Sequence, residues 1–91
     1  MNRIESVIAL QVGTTAVTVP VKGLACLLQN NSAAATVYFK ERRDDGAAAT
    51  ASNGWLLGPG AATSVPLTAR ELSLVSDTAD TDVRVLILEQ E

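Results

Sequence analysis

Short runs of β-branched and aliphatic residues alternate with turn-forming residues along almost the whole chain. Val and Ile contribute 13 residues and Thr another nine, a composition that favours strands. The spacing of the runs predicts seven to eight short strands, with candidate segments at residues 4–12, 16–19, 24–29, 36–41, 55–57, 63–67, 71–76 and 83–88. The pattern therefore predicts an all-β fold, a small antiparallel β-sandwich or a jelly-roll-like barrel.

The segments between these runs carry residues that favour turns. Asn30-Asn31-Ser32 predicts a turn because an Asn side chain hydrogen-bonds the nearby backbone, and Gly58-Pro59-Gly60 predicts a tight turn with proline at its favoured position. Residues 46–54 contain four alanines but no apolar stripe of helical period, so we expect an extended surface loop that ends in an Asn53-Gly54 turn. Residues 77–82 predict a polar connector.

Alternation within the strands predicts which side chains face the core. In segment 36–41 the predicted core face holds Val37, Phe39 and Glu41. The last strand has two largely apolar faces, with Val83, Val85 and Ile87 on one and Arg84, Leu86 and Leu88 on the other. A strand that is apolar on both faces is either central or covered on both sides.

The N-terminal strand is also apolar on both faces. Simple alternation puts Ile4, Ile8, Leu10 and Val12 on one side and Val7 and Ala9 on the other. In so small a domain, a second apolar face implies a partner surface as readily as a second internal layer. We therefore predict subunit contacts from the two terminal strands and the single tryptophan, at Ile4, Val7, Ile8, Trp55, Leu86 and Leu88.

The chain is long enough for one domain only. Of its 91 residues 47% are hydrophobic, but 14 of these are Ala, so 24 Val, Leu and Ile residues must supply most of the core. We expect residues 1–91 to form a single domain with a thin core, in which residues 1–12 form an extended strand or arm. Assembly is expected to supplement its modest stability.

Charge and residue chemistry exclude several classes of function. The formal net charge is −3 and the basic residues do not cluster, so neither nucleic acid nor an anionic membrane is an expected partner. The chain has no histidine, which removes the commonest general base and zinc ligand. We expect no enzyme activity, no metal and no cofactor, with Asp77, Asp80 and Asp82 solvated and the lone Cys26 buried as a small hydrophobe. The N-terminus lacks the apolar region of a signal peptide, which predicts cytoplasmic synthesis without export.

The three aromatic residues leave alternatives open. Trp55 is expected either to pack in the core or to contact a second subunit. The other interpretation is a sugar-stacking platform, formed by Trp55 with Tyr38 on an exposed face. It would make the protein a carbohydrate-binding module.

The elements QNN (residues 29–31) with ATVY (35–38), NGWLLGPG (53–60) and TDVRVL (81–86) follow one another in a specific order. In this arrangement the chain resembles short all-β virion proteins of tailed bacteriophages over residues 24–88. The resemblance implies a head decoration, or cement, protein that stabilises the shell by binding the major capsid protein, located in the virion and often a homotrimer. It also admits another virion protein as the partner and a place in the tail, collar or fibre. The charged stretch 40–45 departs from the neutral, glycine-rich hairpin expected there.

Overall fold

The computed structural model describes residues 2–20, 25–42, 46–66 and 71–90, and all the regular structure in them is strand. The eight strands are β1 (Asn2–Val12), β2 (Val17–Pro20), β3 (Ala25–Asn30), β4 (Val37–Arg42), β5 (Trp55–Leu57), β6 (Ala62–Pro66), β7 (Glu71–Ser76) and β8 (Thr81–Gln90). Every predicted strand is present, and two predicted strand ends, Leu24 and Leu67, lie outside the described residues. The last strand is longer than predicted because it pairs along almost its whole length with β1.

The strands form two antiparallel four-stranded sheets. Sheet I has the order β1-β8-β3-β6 and sheet II the order β2-β7-β4-β5. The chain alternates between the sheets so that nearly every consecutive strand changes layer, and this order is that of a jelly roll. The all-β sandwich predicted from the sequence is confirmed. β8 is a central strand, between β1 and β3, as its two apolar faces indicated.

The core lies between the two sheets and is built from aliphatic side chains. Alternate residues of β3, β4 and β8 point inward, and Val37 and Phe39 lie on the predicted core face. The buried cluster comprises Val12, Val19, Cys26, Leu28, Val37, Phe39, Leu57, Val65, Leu72, Leu74, Val83, Val85 and Ile87. Two sheets are enough to enclose this core, because short aliphatic side chains fill the narrow space between them.

A register shift interrupts the first strand. Ile4 pairs with Leu88 and Ser6 with Ile87, so Glu5 is the extra residue of a β-bulge. The bulge makes simple alternation wrong for Ile4, whose register position belongs with the Val7–Leu86 pair and not with Ile8. One inserted residue reverses the alternation beyond it.

The segment between β4 and β5 is only partly the surface loop predicted from the sequence. The Asn53-Gly54 turn is present, and the Gly54 N–H donates to the Thr50 carbonyl at 2.9 Å. However, Ala49 is only 2% exposed, and its N–H donates to the Ser73 hydroxyl at 2.9 Å. Residues 46–54 thus lie across the outer face of sheet II, and β7 is buried on both faces.

Candidate interaction surface

The outer face of sheet I carries an exposed line of aliphatic side chains. Backbone register sets Val7 on β1 opposite Leu86 on β8, and Leu86 opposite Leu27 on β3. Val7 is 59% exposed, Leu27 is 39% exposed, and Leu86 between them is half-buried. We call these three residues the apolar row. Because opposite side chains on adjacent antiparallel strands lie on the same face, the row is continuous across three strands.

A polar border lies beside the apolar row. The next register line across sheet I contains Ala9, Arg84 and Gln29. Arg84 donates to both carboxylate oxygens of Asp82, at 3.0 and 3.1 Å, and Asn31 donates to the same carboxylate at 2.9 Å. These hydrogen bonds lower the pKa of Asp82, and the bond to Asp82 raises the pKa of Arg84. A charged, hydrogen-bonded border next to exposed apolar side chains is the usual anatomy of a binding surface.

The structure brings some of the predicted contact residues together and separates others. Val7 and Leu86 both belong to the apolar row. The backbones of Ile4 and Leu88 pair with each other farther along the same two strands, and their side chains lie outside the described part of the structure. Ile8 is half-buried against the core, on the inner face of sheet I, and is not part of the exposed surface. Leu27 was missed because the predicted contacts were confined to the two terminal strands and the tryptophan.

Trp55 occupies a different edge of the sandwich. It begins β5, the edge strand of sheet II, and is 71% exposed. Core packing, one of its two predicted roles, is therefore wrong, because β5 ends the sheet and no described strand covers the ring. The indole lies at an open groove that Phe39 and Val65 also line, and the neighbouring Leu56 is 60% exposed.

Tyr38 and Trp55 do not share one face. Register sets Trp55 opposite Phe39, and Tyr38 opposite Leu56. Since successive residues of a strand point to opposite sides, the two rings emerge on different faces of sheet II. Tyr38 is half-buried, and its Cβ lies 2.8 Å from where a Cβ on Gly54 would stand. The two residues cannot form a joint stacking platform in this arrangement.

A buried asparagine joins the end of sheet I to sheet II. Asn30 is fully buried, and its Nδ2 donates to the carbonyl oxygens of Ala35 at 2.8 Å, Leu57 at 3.1 Å and Gly58 at 3.0 Å. Its Oδ1 accepts the Ser32 N–H at 3.1 Å, which forms the turn that the sequence predicted. The connection to β5 was missed, because nothing in the sequence marks which distant carbonyls an Asn will reach.

Burial and local hydrogen bonding shift the pKa values of Cys26 and Asp77. Burial, together with the charge of Glu41, raises the pKa of Cys26 to about 11, which is the behaviour of an inert thiol. Asp77 accepts the Thr36 N–H at 3.0 Å and a hydroxyl from Thr78 at 2.8 Å, and these bonds lower its pKa. Among the described residues, no three Cys, Asp or Glu side chains gather closely enough to hold a metal ion.

Comparison with protein-family models, with curated proteins and with solved structures finds no match to this chain. No helix in the described ranges is long and apolar enough to cross a membrane. The fold and surface define the class of protein as an eight-stranded jelly-roll sandwich with an exposed apolar row on one outer face.

Proposed function

We propose that this protein is a non-enzymatic structural component of a bacteriophage virion, a head decoration protein that binds the outside of the shell and stabilises it. The observation that carries the proposal is the apolar row on the outer face of sheet I, in which Val7 and Leu27 are exposed and Leu86 lies half-buried between them. Apolar side chains that face water in a line are typical of a surface that a partner covers. The sequence resemblance to small virion proteins supplies the kind of partner, the major capsid protein.

A capsid can bind a protein firmly through a small contact surface, because it repeats the same binding site many times. Three aliphatic side chains provide only a weak individual contact, because association must overcome the loss of translational and rotational freedom. A capsid offers many identical sites, and an oligomer of the protein engages several of them at once. Linked contacts multiply the apparent affinity without any new interface, so a thin domain with one apolar row can still bind the shell firmly.

The jelly roll itself does not choose between functions. This architecture serves viral capsid and lectin domains alike, so the fold is compatible with the proposal without selecting it. A tail, collar or fibre location would use the same surface against another virion protein. Electron microscopy of particles carrying a labelled chain distinguishes these locations directly.

A carbohydrate-binding function is the second candidate, and the exposure of Trp55 favours it. A single indole that is 71% exposed can stack on a sugar ring, although Tyr38 does not join it. A glycan array probed with the wild-type protein and with Trp55→Ala tests this alternative. Binding that disappears in the variant supports it, and absence of any binding by the wild-type protein dismisses it.

The decoration proposal is tested by co-sedimentation with empty capsids of the phage that encodes the chain. Leu27→Asp puts a charge in the apolar row, whereas Leu56→Asp makes the same change on sheet II, at a residue that is 60% exposed. We expect Leu27→Asp to weaken capsid binding by at least about tenfold, the loss expected for an interface residue worth about 1.4 kcal/mol or more. Leu56→Asp should bind as the wild-type protein does.

Circular dichroism of both variants separates lost binding from lost folding. Failure of the wild-type protein to co-sediment at physiological salt would overturn the decoration role. Equal binding by a folded Leu27→Asp variant would overturn the assignment of the apolar row as the contact.

A further inference from the structure

The four edge strands of the sandwich are not equally protected. β2 and β6 are four and five residues long and end at Pro20 and Pro66, and β5 has only three residues. Natural proteins blunt exposed edges with short strands, proline and charge, because an unpaired row of N–H and C=O groups invites another chain. These three edges carry such protection.

The edge formed by β1 is different. β1 is 11 residues long, contains no proline, and pairs with β8 on one side only among the described strands. Beyond the bulge at Glu5, residues 6–12 (SVIALQV) run in uninterrupted register with β8 and contain no charged residue. A long, regular and uncharged edge is the kind that pairs with a further strand.

We propose that this edge is covered by a second copy of the same strand, with residues 6–12 of two molecules pairing antiparallel about a two-fold axis at Ala9. An antiparallel pair of identical strands is self-complementary, so both copies use the same surface, as a two-fold dimer requires. The full overlap of residues 6–12 sets Val7 opposite Gln11 of the partner, and no like charges face each other in the seven paired positions. Sheet I of each molecule becomes half of a continuous eight-stranded sheet.

The strand pairing would enlarge the apolar surface that we propose for capsid binding, but it does not depend on that function. The apolar rows of the two copies come to lie on one outer face, because strands in one sheet share their faces. The dimer would exist even if the protein bound no capsid, so co-sedimentation and self-association fail separately. Edge pairing buries less surface than a standard interface of about 800 Å² per partner, which predicts a concentration-dependent dimer rather than a permanent one.

Disulfide trapping tests the geometry. Directly opposite residues in an antiparallel pair have Cα atoms about 4.5–5.5 Å apart, which is within disulfide range. Ala9→Cys should therefore give a covalent dimer under mild oxidation, while Cys26 is buried and remains free. Ala62→Cys on β6, an exposed position at the opposite edge of sheet I, is the matched control and should stay monomeric under the same conditions. Equal cross-linking of both variants would overturn the proposal.

Sedimentation across a range of concentrations provides the second measurement. Ala9→Lys places two lysines against each other at the axis, beside the Arg84 of each copy, and should raise the dimer dissociation constant at least tenfold. Ala62→Lys should leave it unchanged. A wild-type protein that remains a monomer at all concentrations, or a trimer that Ala9→Cys does not cross-link, would refute this pairing.

Discussion

Replacing Asn30 with aspartate tests the buried connection between the sheets almost without changing its shape. The Asn30 amide donates to three carbonyl oxygens, those of Ala35, Leu57 and Gly58. An ionised carboxylate has no proton to donate, and a protonated one has a single O–H. Asn30→Asp therefore sets oxygen against oxygen at a site with no access to solvent.

The cost is derived from the carbonyls that lose their donor. Gly58 keeps a second donor, the Ala61 N–H at 3.1 Å. A protonated carboxyl offers one O–H in place of the two N–H groups of the amide, and each buried carbonyl that is left without a donor costs about 1–3 kcal/mol. This is the expected loss below about pH 4, where an unfolded aspartate is also protonated.

At higher pH the loss grows. The folded variant can avoid burying a charge only by holding a proton, so the pKa of the introduced carboxyl rises above its unfolded value of about 3.9. The folded state then binds more protons than the unfolded state, and the free energy of unfolding falls by about 1.4 kcal/mol per pH unit between the two pKa values. The total stability of a domain of this size is about 5–14 kcal/mol, so Asn30→Asp should be close to unfolding at neutral pH.

Urea unfolding followed by circular dichroism between pH 4 and 7 measures this dependence, since Trp55 is already 71% exposed and makes a poor fluorescent reporter. Gln29→Glu is the matched control: it adds the same charge one residue away, at an exposed position opposite Arg84. It should change stability by less than about 0.5 kcal/mol at every pH. A loss in Asn30→Asp that does not vary with pH, or that equals the control's, would refute the role of Asn30 as a buried donor.

Three further predictions concern single positions elsewhere in the domain. A Cβ at Gly54 would lie 2.8 Å from the Cβ of Tyr38, so Gly54→Ala should lower the free energy of unfolding by about 1–3 kcal/mol, whereas Gly13→Ala meets no atom within 4 Å and should be neutral in the same urea titration. Burial raises the pKa of Cys26 to about 11, so with rising pH the thiol ionises in the unfolded chain before it ionises in the folded one. The free energy of unfolding should therefore fall as pH rises from 9 towards 11, and Cys26→Ala should remove this dependence. The hydrogen bond from the Thr36 N–H lowers the pKa of Asp77 in the folded state, so the ionised carboxylate stabilises the fold at neutral pH. This stabilisation is lost as pH falls through the lowered pKa, and the stability of Asp77→Asn should lack this dependence on acid pH.

The parts of the fold that follow from local rules were predictable from the sequence. Strand positions follow from β-branched runs, and the turn at residues 58–61 follows from Pro59 and Gly60: the Ala61 N–H donates to the Gly58 carbonyl, and Gly60 has the positive φ of 71° that a type II turn demands. Alternation also placed Val7 and Leu86 on the second apolar faces of the two terminal strands, although it did not show which face is exposed.

Features that depend on distant partners were not predictable. A bulge at Glu5 leaves no mark in the residues themselves, since it depends on how β1 meets β8. The burial of Ala49 depends on Ser73, which is 24 positions away and also looks like an ordinary outward-facing residue of its strand. The candidate surface was therefore only partly predicted: the predicted contacts included two of the three members of the apolar row, and the register was needed to add Leu27.

The chain covers the outer face of one sheet but not of the other, and this difference is the strongest reason to assign a binding role to sheet I. On sheet II the chain itself supplies a cover, since residues 46–54 cross the face and β7 becomes buried on both sides. On sheet I no described segment crosses the corresponding face, and Val7 and Leu27 remain open to water. β7 and β8 are each a central strand of their sheet. The chain itself covers the outer face of β7, whereas Leu86 on the outer face of β8 lies in a row that no described segment covers, and a second molecule is the natural source of the missing layer.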